Sequence, residues 1–293
     1  MDVRQVRFFL EVARQGSFTK AAERLHIAQP ALSMAIRKLE EELELVLFNR
    51  RARKVALTAE GEIFLEHARR IRADMAAAEQ EMAELRGLGR GEVRVGIPPM
   101  SASFFPEIIR DFARRYPHLR LAVSGEGGGR IQQMIVQGEL DMGVIAGTSV
   151  PDALEVRQFL REEVVICMPP GHPFAGRTGV PFAEFMREPL LFFKEGYYLR
   201  ELLFEKLKET GGEPNIVFET NLFTLAKSLV KTGVGIATFL RMVVGAEEGL
   251  AVVPFDPPLF IDLLIAWKRE GYLSRANRAF AEFLLERTRG YGS

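Results

Sequence analysis

The sequence predicts an α/β protein with an N-terminal head rich in α-helix, and three features support this prediction. Amphipathic helical patterns fill residues 1–57, and one long helical pattern covers residues 58–87. From residue 92 onward, β-branched runs alternate with helical patterns, which is typical of βαβ units with parallel strands. Glycines punctuate the segment between these regions, so we expect a hinge at residues 88–91.

The composition narrows the class of protein. Of the 293 residues, 47% are hydrophobic and 27% are charged, which is typical of a globular protein with a large core. The net charge is zero, yet residues 1–57 carry eleven Lys and Arg against seven Asp and Glu, an excess of four positive charges. Charged residues near the start and the lack of a long apolar run predict a cytoplasmic protein without a membrane partner. The single cysteine, Cys167, excludes an intramolecular disulfide.

Residues 17–43 have the pattern of a helix-turn-helix. Ser17 is suited to cap a helix over Phe18–Leu25, in which the small residues Ala21 and Ala22 allow a second helix to pack closely. Pro30 begins that second helix, where its missing N–H costs nothing. One face of the second helix is apolar and is expected to contact the core: Leu32, Ile36, Leu39 and Leu43. The opposite face carries groups suited to base edges in a major groove: Gln29, Pro30, Ser33, Met34 and Arg37.

A basic element follows the helix pair. Two short apolar runs, Leu47–Asn49 and Val55–Leu57, flank a tip that contains four cations: Arg50, Arg51, Arg53 and Lys54. This pattern predicts a wing whose cations contact the phosphate backbone or the minor groove of DNA. An amphipathic helix pair alone is more often a packing unit, but the polar second face and the adjacent basic hairpin favour DNA binding.

These motifs closely resemble those of the LysR-type transcriptional regulators. The runs that carry the resemblance are Phe8-Phe9-Leu10, Gly16-Ser17-Phe18-Thr19-Lys20-Ala21-Ala22, Ala28-Gln29-Pro30-Ala31-Leu32-Ser33, Leu47-Phe48 and Val55-Ala56-Leu57-Thr58-Ala59-Glu60-Gly61. The resemblance spans the whole chain and implies a winged helix-turn-helix, a linker helix and a two-lobed effector domain similar to periplasmic binding proteins. It implies that Gln29, Pro30 and Ser33 lie next to the bases. We expect further DNA contacts from Ser17, Thr19, Lys20, Met34, Arg37 and Lys38.

Two positions differ from the usual family pattern. Many relatives have a donor such as Arg where this chain has Met34, so base readout there is expected to be apolar, for instance against a thymine methyl. The family usually ends the recognition helix with Gly, whereas this chain has Glu44. Either the helix continues past this point, or Glu44 itself takes the left-handed cap conformation.

Thr58 begins a helical pattern in which apolar residues repeat every seven positions. The repeat runs through Phe64, Ala68, Ile71, Met75, Ala78, Met82 and Leu85. Because so narrow a seam needs a partner helix, we expect a homodimer; packing on the protein's own core is the alternative. Two-fold symmetry then predicts an operator that is an interrupted palindrome. The family resemblance adds that two such dimers commonly form a homotetramer.

The α/β module is expected to form two lobes with a small-molecule effector between them. We assign residues 92–161 and 267–293 to the first lobe and residues 162–266 to the second. The return of the C-terminal segment to the first lobe is implied by the family resemblance. Two crossings between the lobes make a hinge, and the cleft beside it is the expected ligand site.

Candidate effector contacts follow the predicted strands of this module. The strand at 93–97 ends before a helix N-terminus, which attracts anions, at Pro99, Met100, Ser101 and Ser103. Pro99 stands where relatives often have Ser or Thr, so a hydroxyl and an N–H are missing there. Gly128 and Gly129 allow backbone amides to approach a ligand, and Arg130 is suited to pair with a carboxylate; a flexible turn with an exposed Arg130 is equally open. The resemblance adds Gly147, Thr148, Tyr197, Tyr198, Asn221, Phe223 and Thr238. The expected ligand is a small organic anion.

Other functional classes fit the sequence less well. The four histidines show no metal spacing, and no nucleophile motif or phosphate loop is present, so we expect no catalysis, metal or cofactor. Cys167 lies in an apolar run, which predicts a buried, inert thiol. Two alternatives stay open: a DNA-binding protein that needs no ligand, and a DNA-binding head joined to a vestigial solute-binding module.

Overall fold

The computed structural model describes residues 1–49, 55–85, 91–147, 150–244 and 249–290. These residues fall into two compact units: a head that contains the N-terminal helices, a small hairpin and Gln137–Glu139, and a larger α/β unit that begins with the first strand of the main sheet. Among the residues described, no helix is both long and apolar enough to cross a lipid bilayer.

The head is built from short helices and one long one. Its elements are α1 (Val3–Gln15), α2 (Phe18–Leu25), α3 (Gln29–Leu43), β1 (Phe48–Asn49), β2 (Ala56–Leu57) and α4 (Ala59–Leu85). Strands β1 and β2 pair antiparallel, as expected for a wing. The predicted wing tip, with Arg50, Arg51, Arg53 and Lys54, lies outside the described residues, as do residues 88–90 of the predicted hinge.

Capping residues set the ends of the head helices. The Ser17 hydroxyl accepts a hydrogen bond from the Lys20 N–H at 3.4 Å, so α2 begins where the sequence predicts. Helix α3 ends at Leu43 because Glu44 takes the left-handed conformation, with φ of 55°. Of the two possibilities for Glu44, the strained cap is therefore the one observed. At the start of α4, the Thr58 hydroxyl accepts a hydrogen bond from the Gly61 N–H at 2.9 Å.

The apolar face of α3 forms the centre of the head core. Leu32, Ile36 and Leu39 are fully buried, whereas Leu43 is only partly buried. Aromatic rings join the helices to the wing, since the Phe9 ring centroid lies 5.1 Å from that of Phe48. The Phe9 ring also meets Phe64 of α4 edge-on at 4.7 Å.

The α/β unit alternates strands and helices. Its strands are β3 (Glu92–Gly96), β4 (Arg120–Ser124), β5 (Met142–Ala146), β6 (Leu154–Met168), β7 (Val180–Pro181), β8 (Leu190–Phe193), β9 (Ile216–Thr220), β10 (Ala237–Leu240) and β11 (Ala251–Lys268). Its helices are α5 (Phe105–Arg115), α6 (Gly128–Val136), α7 (Phe182–Phe185), α8 (Tyr198–Thr210), α9 (Phe223–Lys231), α10 (Arg241–Val244) and α11 (Arg275–Thr288).

The main sheet is mixed rather than wholly parallel. Its strand order is β10-β6-β11-β5-β3-β4. The expected parallel pairing holds for β3 with β4 and β5, and for β8 with β9. The expectation of parallel strands throughout was wrong for β6 and β10, which pair antiparallel, and for β11, which is antiparallel to β5 and β6 and parallel only to the short β7.

Two long strands are shared by the lobes. Residues 164–167 of β6 pair with β10 in the second lobe, while the strand begins in the first lobe at Leu154. The other long strand, β11, pairs with β5 of the first lobe through Leu263–Trp267. We therefore propose that the chain re-enters the first lobe at Leu263, four residues earlier than the boundary at residue 267 inferred from the sequence.

Candidate nucleic-acid interface and ligand cleft

Helix α3 has an exposed face opposite its core contacts. Met34 exposes 71% of its surface, and Arg37 beside it is also exposed. Near the start of the helix, Gln29 Nε2 donates a hydrogen bond to the Ser33 hydroxyl at 2.9 Å. The buried Ile36 fixes the rotation of α3, so the exposed face offers hydrogen-bonding, apolar and cationic groups together. A DNA major groove is read by groups of these three kinds.

A groove between α1 and α3 borders this face. Its lining consists of Asp2, Arg4, Gln5, Phe8, Ala31, Met34, Ala35, Arg37, Lys38 and Glu41. The Arg4 guanidinium lies 5.2 Å from the centroid of the Phe8 ring, which places this cation at the edge of the α3 face. Arg4 is a candidate phosphate contact that the sequence motifs did not indicate, because it lies outside the helix-turn-helix segment.

The apolar repeat of α4 divides into two halves. Phe64, Ala68 and Ile71 pack against the core of the head, and Ala68 is fully buried there. By contrast, Met75 and Met82 are 37% and 50% exposed, with an exposed Ala78 between them. The side chain of Leu85 lies outside the described residues. The first half of the repeat therefore packs on the protein's own core, as in the alternative, and the seam for a partner stays a prediction, best supported for the exposed second half.

A cleft between the two lobes is formed at strand ends and helix starts. Its lining consists of Pro98, Met100, Ser101, Gly128, Ile145, Ala146, Tyr197, Tyr198, Leu199, Leu240, Ile261 and Leu263. Of the described residues in this lining, none has a charged side chain. Helices α6 and α8 both begin in the cleft, at Gly128 and Tyr198. The first N–H groups of a helix have no partner within it and carry partial positive charge.

The cleft is nearly closed. Its cavity measures about 50 Å³, whereas a cavity that holds benzene measures about 150 Å³. Gly127 explains the close approach of the lobes, because a Cβ at this position would lie 2.8 Å from the Gly196 carbonyl oxygen. Gly147, with φ of +108°, allows the Tyr198 ring to pack on the backbone, since a Cβ there would lie 2.4 Å from a ring carbon.

The polar groups of the cleft are mainly hydroxyls. Burial raises the pKa of the Tyr197 phenol, and the Glu126 carboxylate adds to this effect. Burial likewise raises the pKa of Tyr198, so both phenols keep their protons and can donate hydrogen bonds. The Ser101 hydroxyl already donates to the Pro98 carbonyl at 3.0 Å. The cleft therefore combines apolar walls with phenol donors and two helix N-termini.

Comparison with protein-family models identifies both units. Residues 3–62 match the bacterial regulatory helix-turn-helix protein model of the lysR family, and residues 86–289 match the LysR substrate binding domain. The chain belongs to the LysR family of transcriptional regulators. It is accordingly a DNA-binding regulator with an effector-binding domain, and the family consists of regulators rather than enzymes.

The similarity to proteins of the LysR family extends over nearly the whole chain. The uncharacterized HTH-type transcriptional regulator YwbI of Bacillus subtilis is 33% identical over 99% of this chain and 97% of its own length. A full-length OxyR variant from Pseudomonas aeruginosa has a TM-score of 0.75 at 23% identity, covering 100% of this chain and 96% of its own. The LysR-family protein CbnR, solved in complex with its target DNA, has a TM-score of 0.69 at 22% identity, covering 98% of this chain and 100% of its own.

The structure places the predicted DNA contacts of this LysR-family head on two helices. Gln29, Pro30, Met34, Arg37 and Lys38 are exposed on α3, with Ser33 partly exposed among them. Thr19 and Lys20 are exposed at the start of α2. The Ser17 hydroxyl caps α2 by accepting a hydrogen bond from the Lys20 N–H, so it already has a partner within the head.

The predicted effector contacts divide into two groups. Five of them line the cleft: Met100, Ser101, Gly128, Tyr197 and Tyr198. Gly147 contacts the Tyr198 ring, while Thr148 lies outside the described residues. The remaining predicted contacts are not in the cleft lining: Pro99, Ser103, Gly129, Arg130, Asn221, Phe223 and Thr238.

Two of these residues have other partners. Phe223 meets the Phe239 ring edge-on at 5.2 Å and is a packing residue. Arg130 is exposed beside Gln133, as in the alternative, but it lies on helix α6 rather than in a turn; its pairing with a carboxylate stays a prediction. Sequence reasoning missed the apolar lining, including Leu240, Ile261 and Leu263, because it searched for polar groups. For Leu240 the position at the end of β10 was the available signal, whereas Ile261 and Leu263 lie inside β11 and carried no such signal.

Proposed function

We propose that this regulator binds an interrupted-palindrome operator as a homodimer and responds to a small organic anion in the interlobe cleft. The exposed face of α3 supports the DNA part of the proposal, because Met34 and Arg37 project beside Gln29 without core contacts. Two copies joined through the exposed half of α4 give two heads related by symmetry. Pairing of two such dimers gives a tetramer. Because a transcriptional regulator must reach the chromosome, we place the protein in the cytoplasm.

The residues of the cleft support the proposed class of ligand. Two helix N-termini begin at Gly128 and Tyr198, and together they favour a negative charge although no cationic side chain lines the described cleft. The Tyr197 and Tyr198 phenols add hydrogen-bond donors beside that position. Leu240, Ile261 and Leu263 form walls suited to an apolar body. The best-fitting ligand is a monocarboxylate with an aromatic or branched aliphatic body.

A paired ligand screen tests this function on the whole chain. A panel of monocarboxylic acids is compared with the corresponding uncharged amides by thermal shift, because a ligand of the native state raises Tm. We expect one or more acids to raise Tm by several degrees, and their amides to have little effect. The same acid should alter the footprint on an operator fragment with two half-sites.

Ala146→Phe is the control, because a phenyl ring at this lining position fills the small cleft. It should retain the basal footprint and lose the response to the acid. If no acid or amide raises Tm and the footprint is the same under all conditions, the ligand-independent alternative is correct. If amides act as well as acids, the assignment of an anionic ligand is wrong.

A further inference from the structure

One carboxylate joins the recognition helix α3 to the small hairpin of the head. Glu40 lies in the last turn of α3, between the buried Leu39 and the exposed Glu41. Its Oε1 atom accepts hydrogen bonds from the Leu47 N–H at 2.9 Å and from the Phe48 N–H at 3.2 Å. A single side chain of α3 therefore binds the backbone at the point where strand β1 begins.

Both N–H groups belong to residues that are shielded from water. Leu47 is 0% exposed and Phe48 is 2% exposed. A buried N–H needs an acceptor, and an acceptor with a full negative charge forms the stronger kind of hydrogen bond. Loss of the Glu40 carboxylate would leave both donors without this acceptor, so the start of β1 would lose its attachment to α3.

The carbonyl groups of the same segment bond to the start of α4. The Leu47 carbonyl accepts a hydrogen bond from the Thr58 N–H at 3.0 Å, and the Val46 carbonyl accepts one from the Thr58 hydroxyl at 2.6 Å. Gly61 lies so close that a Cβ there would be 2.2 Å from the Leu47 carbonyl oxygen. The chain that leads into β1 is therefore held by α3 through its N–H groups and by α4 through its carbonyl groups.

The charge of Glu40 by itself opposes DNA binding. The exposed face of the same helix carries the predicted DNA contacts Arg37 and Lys38. The predicted cations of the wing follow β1 in the sequence: Arg50, Arg51, Arg53 and Lys54. A carboxylate on a DNA-binding helix repels phosphate groups, so its removal would strengthen binding if its charge were its only effect.

We infer that Glu40 is a positioning residue that holds the wing in a fixed place relative to the recognition helix. The helix and the wing then meet one DNA duplex together, because the cost of ordering them is met in the free protein. The inference rests on the prediction that the wing cations contact DNA, and a variant of the wing tests that prediction separately.

A double-mutant cycle on the whole chain measures the coupling between Glu40 and the wing. The probe is a DNA duplex selected from a random pool for tight binding to the wild-type chain. In the wild-type background, Arg51→Gln together with Arg53→Gln should weaken binding about tenfold and reduce the salt slope by about 1.8, because two phosphate contacts are lost. Glu40→Ala alone should also weaken binding about tenfold. In the Glu40→Ala background, the wing substitutions should change the affinity by no more than about twofold.

Glu40→Gln is the rescue variant, because its amide oxygen can accept the same two hydrogen bonds without a charge. It should restore most of the affinity that Glu40→Ala loses. Glu23→Ala is the matched control for charge, since Glu23 is exposed on α2 and its carboxylate accepts no hydrogen bond from the residues that the structure describes. It should not weaken DNA binding.

The melting temperature of each variant verifies that it is folded. If Glu40→Ala does not melt cooperatively, Glu40→Asp replaces it in the cycle, because its carboxylate is one methylene too short to reach both N–H groups. The inference is wrong if the wing substitutions weaken the Glu40 variant as strongly as the wild type, or if Glu40→Gln binds DNA as weakly as Glu40→Ala. If the wing substitutions leave the affinity of the wild type unchanged, the predicted wing contacts are absent and the inference fails with them.

Discussion

The side chain of Met34 limits the type of base contact that we predict for the exposed face of α3. The thioether side chain is 71% exposed and has no hydrogen-bond donor, so it cannot bind guanine as an arginine does. Its flexible apolar chain is suited to contact a methyl group. A protein that reads a thymine methyl gains about 0.8 kcal/mol from one buried carbon, which corresponds to a factor of about four in affinity.

The contact can be tested by replacing single thymines of the operator with deoxyuridine. One replacement in a single half-site should weaken binding about fourfold, because it removes only one methyl group. The same replacement should have no effect on a Met34→Ala variant, and gel-shift titrations measure both. Gln29→Ala should remain sensitive to the replacement, which makes it the control. Equal sensitivity of wild type and Met34→Ala would exclude this contact.

Residue-level prediction succeeded where a side chain obeys local rules. The Ser17 and Thr58 caps and the buried stripe through Ile36 follow from sequence spacing alone, and the structure has them. Sequence spacing does not show which tertiary partner a side chain has. Phe223 is attractive as a ligand contact in sequence, but the Phe239 ring that it packs against is sixteen residues away along the chain.

At the scale of elements, the two halves of α4 differ in their contacts. The helix begins by packing Phe64, Ala68 and Ile71 against the head, then continues with exposed Met75, Ala78 and Met82. The seven-residue repeat does not distinguish these halves, because both a domain core and a partner helix favour the same spacing. Only the position of the head core shows which apolar residues are available to a second chain.

Charged substitutions in the second half of α4 test the dimer. Met75→Glu together with Met82→Glu should shift the protein from dimer to monomer in sedimentation velocity, because four carboxylates then meet in one apolar seam. Binding to a palindromic operator should weaken by more than tenfold, since two linked half-sites become independent. Ile63→Glu is the matched control, because Ile63 is 63% exposed on α4 but lies outside the repeat. Dimers that persist in the double variant through the same helices would refute this arrangement.

The strand pattern was predictable only within each lobe. Runs such as β3 and β8 precede helices and pair in parallel, as alternation of strand and helix implies. The long strands β6 and β11 pair antiparallel over their shared length, and no local pattern specifies that direction. A continuous apolar run indicates that a strand is buried on both faces. It does not indicate whether the neighbouring strand runs parallel or antiparallel to it.

At the scale of the whole α/β unit, the size of the cleft implies that an aromatic acid, as proposed above, binds only when the lobes separate. A cavity of about 50 Å³ is too small for an aromatic acid, because even benzene occupies a cavity of about 150 Å³. The strands β6 and β11 cross between the lobes, and their ladder is irregular between Pro254 and Leu259. We therefore predict that the proposed acid favours a more open arrangement of the two lobes when it enters the cleft, which is the differential affinity that a switch needs.

Gly127→Ala should produce this opening without a ligand. A Cβ at Gly127 would lie 2.8 Å from the Gly196 carbonyl oxygen, which is a backbone atom of the other lobe and cannot rotate away. The lobes must then move apart, so amide hydrogen exchange should accelerate at residues 100–101, 127–131 and 197–199 in the absence of any ligand. Gly129→Ala is the control, because its added carbon would lie 4.0 Å from the same oxygen, an ordinary contact distance. If both variants exchange like wild type, the contact at Gly127 does not hold the lobes closed, and closure must come from the apolar walls of the cleft.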